Sequence, residues 1–237
     1  ASKSVKGEAL LVANDYRRFN YTPYVFRTNN YGKTWDRIVD ASDVTSYALS
    51  IVEDPEEPNL LFLGTDDGLY ISIDKGDKWT KWTEGFPTVS VKDLIIHPRE
   101  NDLIIGTFGR AAWILDDIRP IRAIAKDKNL LKDKIHLFMP PTAYKAAYQQ
   151  PTGSRFGGDA LFNGKNRGNG AKFSFYFNRK EITKENLKKI ESETKDSIIK
   201  WDSIRLKIYD SDRLIRTIKK ITPKENGIHT WTWNMDE

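Results

Sequence analysis

LLFLGTDDGLYISIDKGDKWT, residues 60–80, holds a pattern that the chain uses twice. Within it, Ser72-Ile73-Asp74-Lys75-Gly76-Asp77-Lys78-Trp79 matches the earlier Thr28-Asn29-Asn30-Tyr31-Gly32-Lys33-Thr34-Trp35, hydroxyl for hydroxyl, Asp for Asn, Gly for Gly and Trp for Trp. The glycines and the tryptophans of the two copies are each 44 residues apart. An Asp or Asn at the third position can fold its side chain onto following backbone N–H groups. Glycine two residues later supplies a positive φ without a Cβ penalty. Trp then opens the next strand and can bury an indole against a neighbouring sheet. The residues Thr28, Asn30, Gly32, Trp35, Ser72, Asp74, Gly76 and Trp79 are therefore read as hairpin residues with a structural role.

Other features recur at nearly the same distance. Ile51-Val52-Glu53-Asp54-Pro55 returns as Leu94-Ile95-Ile96-His97-Pro98, and Leu61-Phe62-Leu63-Gly64-Thr65 as Leu103-Ile104-Ile105-Gly106-Thr107. A period in the low forties, filled with short β-branched and aromatic runs between Gly and Pro, is that of four-stranded propeller blades. Helical repeats of that length would need apolar residues at 3.6 spacing, which these segments lack.

The strands expected in order are 9–13, 23–28 and 35–39 for a first blade without its innermost strand. A whole blade follows at 48–53, 60–65, 69–73 and 79–83, and then three strands at 91–96, 103–107 and 112–115. That is about two and a half blades. Because an open arc leaves blade faces in water, another chain or an upstream segment is expected to complete the ring, its N-terminal strand closing the third blade.

The paired turns match the Asp-box, or BNR, repeat of sialidase-like and sortilin-like propellers. Together with Asn14–Asn20, Pro23–Thr28 and Gly106-Thr107-Phe108-Gly109-Arg110-Ala111-Ala112-Trp113, they resemble a large bacterial family of sortilin-like, "glycosyl hydrolase" BNR proteins common in Bacteroidetes. That family reads Gly-Thr-His-Gly-Arg-Gly at the last site; here Phe108 replaces His and Ala111 replaces Gly. The resemblance covers about residues 9–120. It implies an exported protein, periplasmic, cell-surface or secreted, that binds a glycan or polypeptide at the propeller axis. The alternative it implies is a sialidase-like glycoside hydrolase whose catalytic residues lie in blades absent from this chain.

After residue 118 the pattern changes. Ile118–Leu131 reads as a short helix leaving the propeller, with Pro120 tolerated in its first turn. Residues 136–141 are extended ahead of two prolines, and 149–170 is a Gly/Asn/Arg-rich loop. Alternating runs at 171–177, 204–209 with 214–218, and 227–233 form a second β domain, similar to the Ig-like module of flagellar-hook-capping proteins and expected to be incomplete. The fold class is all-β: a partial propeller over 1–120, a linker over 121–167 and a small Ig-like sandwich over 168–237. The charged stretch 180–200 reads as a solvated insertion.

Composition narrows the function classes. The chain has no Cys, which excludes disulfides and thiolate catalysis. Its net charge of +5 comes without a basic groove interleaved with stacking aromatics, so no nucleic-acid partner is expected. No apolar run reaches the roughly 18 residues of a membrane span. Among candidate chemistry, Arg110, Asp116 and Asp117 are possible ligand-binding residues, against a capping role or an ion pair with Arg110 or Arg119. Adjacent carboxylates on one strand end point to opposite sides, so they do not make a glycosidase pair. His97 stands where the previous repeat has Asp54 and reads as a turn residue. No catalytic residue, metal site or cofactor is assigned.

Overall fold

A computed structural model describes residues 1–145, 170–178 and 203–236. The chain is all-β, with a single α-helix among the described residues, and divides into two compact units, Ala1–Leu130 and Leu131–Glu237.

The first unit contains three antiparallel sheets. They are β1 (Ala9–Asp15), β2 (Asn20–Thr28) and β3 (Asp36–Arg37); β4 (Ala48–Glu53), β5 (Leu61–Thr65), β6 (Gly68–Ser72) and β7 (Thr80–Trp82); and β8 (Val91–Ile96), β9 (Leu103–Thr107) and β10 (Ala112–Leu115). These ten strands are two and a half four-stranded blades, and no sheet closes on itself. The middle sheet is covered on both faces, every residue of β5 and β6 being buried. Its side chains alternate between two cores: Leu61, Leu63 and Tyr70 pack toward Val25 of β2, while Phe62, Leu69 and Ile71 pack toward Leu94, Leu103 and Ile105.

Gly64 faces the neighbouring sheet with no room for a side chain. A Cβ there would lie 2.6 Å from Val91 Cγ1 and 2.8 Å from the Val91 carbonyl, and would also strike Ser50 Oγ. The Gly that recurs in each Leu-x-x-Gly-Thr strand is thus an inter-sheet spacer in this blade.

The first blade departs from expectation. Its third strand, expected over 35–39, is only Asp36–Arg37. Ile38 N still donates to the Val25 carbonyl at 3.0 Å, and the Arg37 guanidinium reaches the Pro23 carbonyl at 2.6 Å. The helix is also shorter than read. α1 (Arg119–Lys126) gives way to a 3-10 turn at Lys128–Lys132, and Ile121 and Ala125 pack into the core beneath the second and third blades instead of leading away.

Arg122 of α1 fastens this arrangement. Its Nε and Nη2 donate to Asp54 at 2.9 and 2.8 Å, and its Nη1 donates to Asn101 Oδ1 and pairs with Glu56 at 2.8 Å each.

The second unit holds the sheet β11 (Ile135–Leu137), β12 (Ala171–Phe177) and β15 (Gly227–Trp233), in the order β11-β12-β15, and the hairpin β13 (Ser203–Asp210) with β14 (Arg213–Ile221). Phe175, Phe177 and Trp231 form its core, with Ile204, Leu206 and Ile218 of the hairpin packed on them. Phe175 and Trp231 meet edge to face at 4.9 Å. The hairpin turn at Ser211-Asp212 places Ser211 at φ 53. Of the expected connector 121–167, the first part belongs to α1 and β11, and 146–167 lies outside the described residues, as does the charged insertion 180–200.

Gly64→Ala is expected to lower stability by about 2 kcal/mol or more, through overpacking between β5 and β8. Arg122→Ala is expected to cost about 3–5 kcal/mol, because it leaves the Asp54 carboxylate buried without its partner. Arg122→Lys should recover only part of that loss, since an ammonium cannot reproduce the two-pronged contact. Chemical denaturation of the full chain measures all three.

Candidate functional site

Both Asp-box turns close in the same way. Thr28 Oγ1 accepts from Gly32 N at 2.9 Å and Ser72 Oγ from Gly76 N at 2.8 Å; Asn30 Oδ1 accepts from Thr34 N at 2.9 Å and Asp74 Oδ1 from Lys78 N at 3.0 Å. Gly32 and Gly76 take φ 83 and 91 as the turn requires, but Tyr31 and Lys75 before them are also left-handed, at 61 and 64, which the glycine reading did not anticipate. Partial burial pushes the Asp74 carboxyl up, yet bonds from Ser72, the Lys78 N–H and Lys128 hold it below the usual carboxylate range.

The two tryptophans differ. Trp79 is 4% exposed and donates from Nε1 to the Ile38 carbonyl of the first blade at 2.9 Å. Trp35 is 40% exposed, so the expected burial of an indole holds for only one copy. Trp79 lies against a preceding sheet, and Trp35 belongs to the first sheet of the arc. Hydroxyl and Asn/Asp close the turn in both copies, and Trp79 alone of the two tryptophans is buried between sheets.

Antiparallel pairing sorts the loops of this unit onto two ends. At the Asp-box end, Ser2 Oγ donates to Glu53 at 2.6 Å and Lys75 Nζ meets Glu8 at 2.8 Å, so the start of β1 lies by the end of β4. The connections after β4 and β8 join them there. Asp54 Oδ1 accepts from Glu57 N at 2.8 Å, and His97 Nδ1 accepts from Glu100 N at 3.1 Å, three residues on in both cases. His97 is thus the turn residue that its alignment with Asp54 suggested. At the opposite end, Tyr16 stacks on Tyr47 at 4.9 Å, Tyr21 tilts against the same ring at 6.0 Å, and Asp66 N donates to the Tyr47 carbonyl at 3.2 Å.

The candidates Arg110, Asp116 and Asp117 do not meet. Arg110 is exposed in the turn before β10, where Trp113 Nε1 donates to its carbonyl at 3.0 Å. Asp116 and Asp117 follow β10 at the Asp-box end, separated from Arg110 by the length of the strand Ala112–Leu115. Asp117 accepts from the Arg119 guanidinium and backbone N–H ahead of α1, so the ion pair with Arg119 is the alternative that forms. Asp116 is exposed. Ala111, standing where the similar family has Gly, adopts φ 57, the conformation that explains a Gly there.

The more developed polar constellation surrounds Tyr47. Burial, followed by a hydrogen bond to Asp66 and its negative charge, pushes the Tyr47 hydroxyl up to about 12. A phenol so disposed stays protonated and donates; it is not a nucleophile. Asp67 accepts from Thr65 Oγ1 at 2.7 Å, from Lys81 at 2.8 Å and from Thr45 at 3.1 Å. Burial raises its carboxyl, but these bonds outweigh burial and hold it low. Sequence reading missed these tyrosines, two of which carry a signal in the Tyr-x-x-x-x-Tyr spacing of the β1–β2 connector.

At the Asp-box end, sequence reading also missed a buried pair. Glu8 is almost wholly buried, with Arg27 at 3.5 Å and Lys75 at 2.8 Å, and Glu53 stands beside it. Burial raises the Glu53 carboxyl; the Ser2 hydrogen bond opposes it, the Glu8 charge adds to it, and Lys75 opposes it least. Among the described residues no group of three or more His, Asp or Glu is placed to hold a metal ion, and no helix is long and apolar enough to cross a membrane.

A folded-state pKa above the unfolded one means that Glu53 contributes stability below about pH 4, lost as pH rises through its folded value. Asp67 and Asp74 have the opposite sign: their contribution is present above about pH 4 and lost as pH falls. Thermal melts of Glu53→Gln and the parent chain should therefore diverge with rising pH, the variant becoming relatively more stable toward neutrality. A constant offset would show that Glu53 is not the group responsible.

Residues 23–126 match the family model described as Sortilin, neurotensin receptor 3 (Sortilin-Vps10). No curated protein matches the chain. Among solved structures, a GH74 xyloglucanase from Xanthomonas campestris aligns at 14% identity with a TM-score of 0.36, over 50% of this chain and 20% of that one. The chain thus spans about a fifth of that protein's length, and over residues 23–126 it is similar to the sortilin propeller family.

Proposed function

We propose that this chain is part of an exported BNR-type propeller protein that binds a glycan or polypeptide ligand, with the Ig-like second unit trailing it. The observation that carries this reading is the state of the groups around Tyr47. The phenol bonds to Asp66, and Asp67 is taken up by Thr45, Thr65 and Lys81, so neither is poised to attack a bond. Their family likeness over 23–126 is to a propeller whose named member is a receptor.

The same reading has a further blade, from an upstream segment or another chain, against the free faces of the arc. Ile95, Ile104 and Ile114 stand in register across β8, β9 and β10, with Ile95 and Ile114 more than half exposed. An apolar stripe of that kind is suited to another sheet.

The test is a screen of the full chain against immobilised glycans and peptides, run beside fluorogenic glycosides. Saturable binding without turnover is the expected outcome. Turnover that survives repurification would overturn the binding reading in favour of a glycoside hydrolase.

A further inference from the structure

Two connectors at the Tyr47 end each expose a phenylalanine. In the β1–β2 connector, Phe19 is 85% exposed and the Arg17 guanidinium lies 6.0 Å from the centre of the Tyr16 ring. In the β9–β10 connector, Phe108 is 74% exposed and the Lys92 ammonium lies 5.7 Å from its ring centre, with Arg110 two residues on. Tyr21 is more than half exposed between β1 and β2. Neither phenylalanine contributes to a core cluster.

Phe19 also sits at φ 62, a conformation costly for a bulky residue and easily taken by Asn or Gly. The backbone accounts for the conformation, since Phe19 caps the 3-10 turn Tyr16–Arg18 with its N–H donated to the Tyr16 carbonyl at 3.0 Å, but not for the choice of an aromatic side chain there. Both rings carry a large apolar face into water at an end that is otherwise polar.

Charge separates the possible occupants. Arg18 is near Asp15 at 3.8 Å and Lys81 pairs with Asp67 at 2.8 Å. Arg17, Lys92 and Arg110 are matched in number by Asp66, Glu84 and Asp93 at the same end. Such a near-neutral surface gives an anionic membrane or a polyacid little net attraction.

Exposed aromatic faces set among both guanidinium donors and carboxylate acceptors suit a ligand with flat C–H faces and many hydroxyls. The polarised C–H bonds lie against the negative π face, and the hydroxyls bridge donor and acceptor side chains. We infer that the Tyr47 end binds a neutral polysaccharide, with Phe19 and Phe108 as stacking platforms and Arg17 and Arg110 as hydroxyl-directed donors. This rests on the ligand-binding reading above and selects its glycan branch.

Affinity electrophoresis and titration calorimetry of the full chain test it, with soluble β-glucan, galactomannan and arabinoxylan as neutral probes. Polygalacturonate, poly-glutamate, a mixed peptide library and anionic vesicles serve as comparators. The expected result is saturable binding to at least one neutral polymer that changes little between low and high salt. Phe19→Asn and Phe108→Ser should each weaken it by about three- to tenfold, with Phe19→Asn melting at or above the parent temperature.

Neutral-polymer binding that both variants retain would overturn the inference. So would binding confined to polygalacturonate, poly-glutamate or vesicles that disappears with salt, since that is attraction to a charged surface. Binding confined to the peptide library would overturn the glycan assignment and leave the ligand-binding reading standing. No binding to any probe would defeat both.

Discussion

The two-pronged contact between Arg122 and Asp54 is the constraint on which the propeller arc depends. Asp54 is fully buried, so its charge is tolerable only with the guanidinium in place. That guanidinium is delivered by α1, while the same side chain reaches Asn101 in the connection after β8. One cation therefore requires the helix, the second blade and the third blade to be positioned together. Gly64 acts from the opposite direction, by leaving room where β5 passes Val91 of β8. Attraction at one place and the absence of a side chain at another fix the same pair of sheets.

The repeat was legible because its residues act locally. Hydroxyl, carboxyl or amide, glycine and tryptophan each satisfy the backbone within a few positions, so a 44-residue offset in the letters became a repeated turn. The strands at 91–96, 103–107 and 112–115 followed from alternation and β-branching, and 171–177 and 227–233 did likewise. Pairings between distant residues were not legible. Arg122 meets Asp54 across 68 positions and Lys75 meets Glu8 across 67. Nothing in local composition announces such partners, because each is chosen by the packing of whole sheets. The candidate site shows the same division. Arg110 and Asp116–Asp117 look close in sequence, but an extended strand separates them more effectively than a helix would have done.

The two ends of the arc differ electrostatically as well as in sequence. The Asp-box end gathers buried ions that hold sheets to one another, Glu8 with Arg27 and Lys75 foremost. The Tyr47 end keeps Asp67 in bonds to Thr65 and Lys81. Such segregation suits a scaffold in which one rim secures the blades and the other is free to vary without unfolding them.

Because Trp79 leans on the sheet before it while Trp35 is left partly in water, the blades form a row in which each member draws protection from its neighbours. Opening should then proceed from the flanks inward. Backbone amides of Leu61–Ser72, enclosed on both faces, would be the last to exchange their protons with solvent, and those of β1 to β3 among the first.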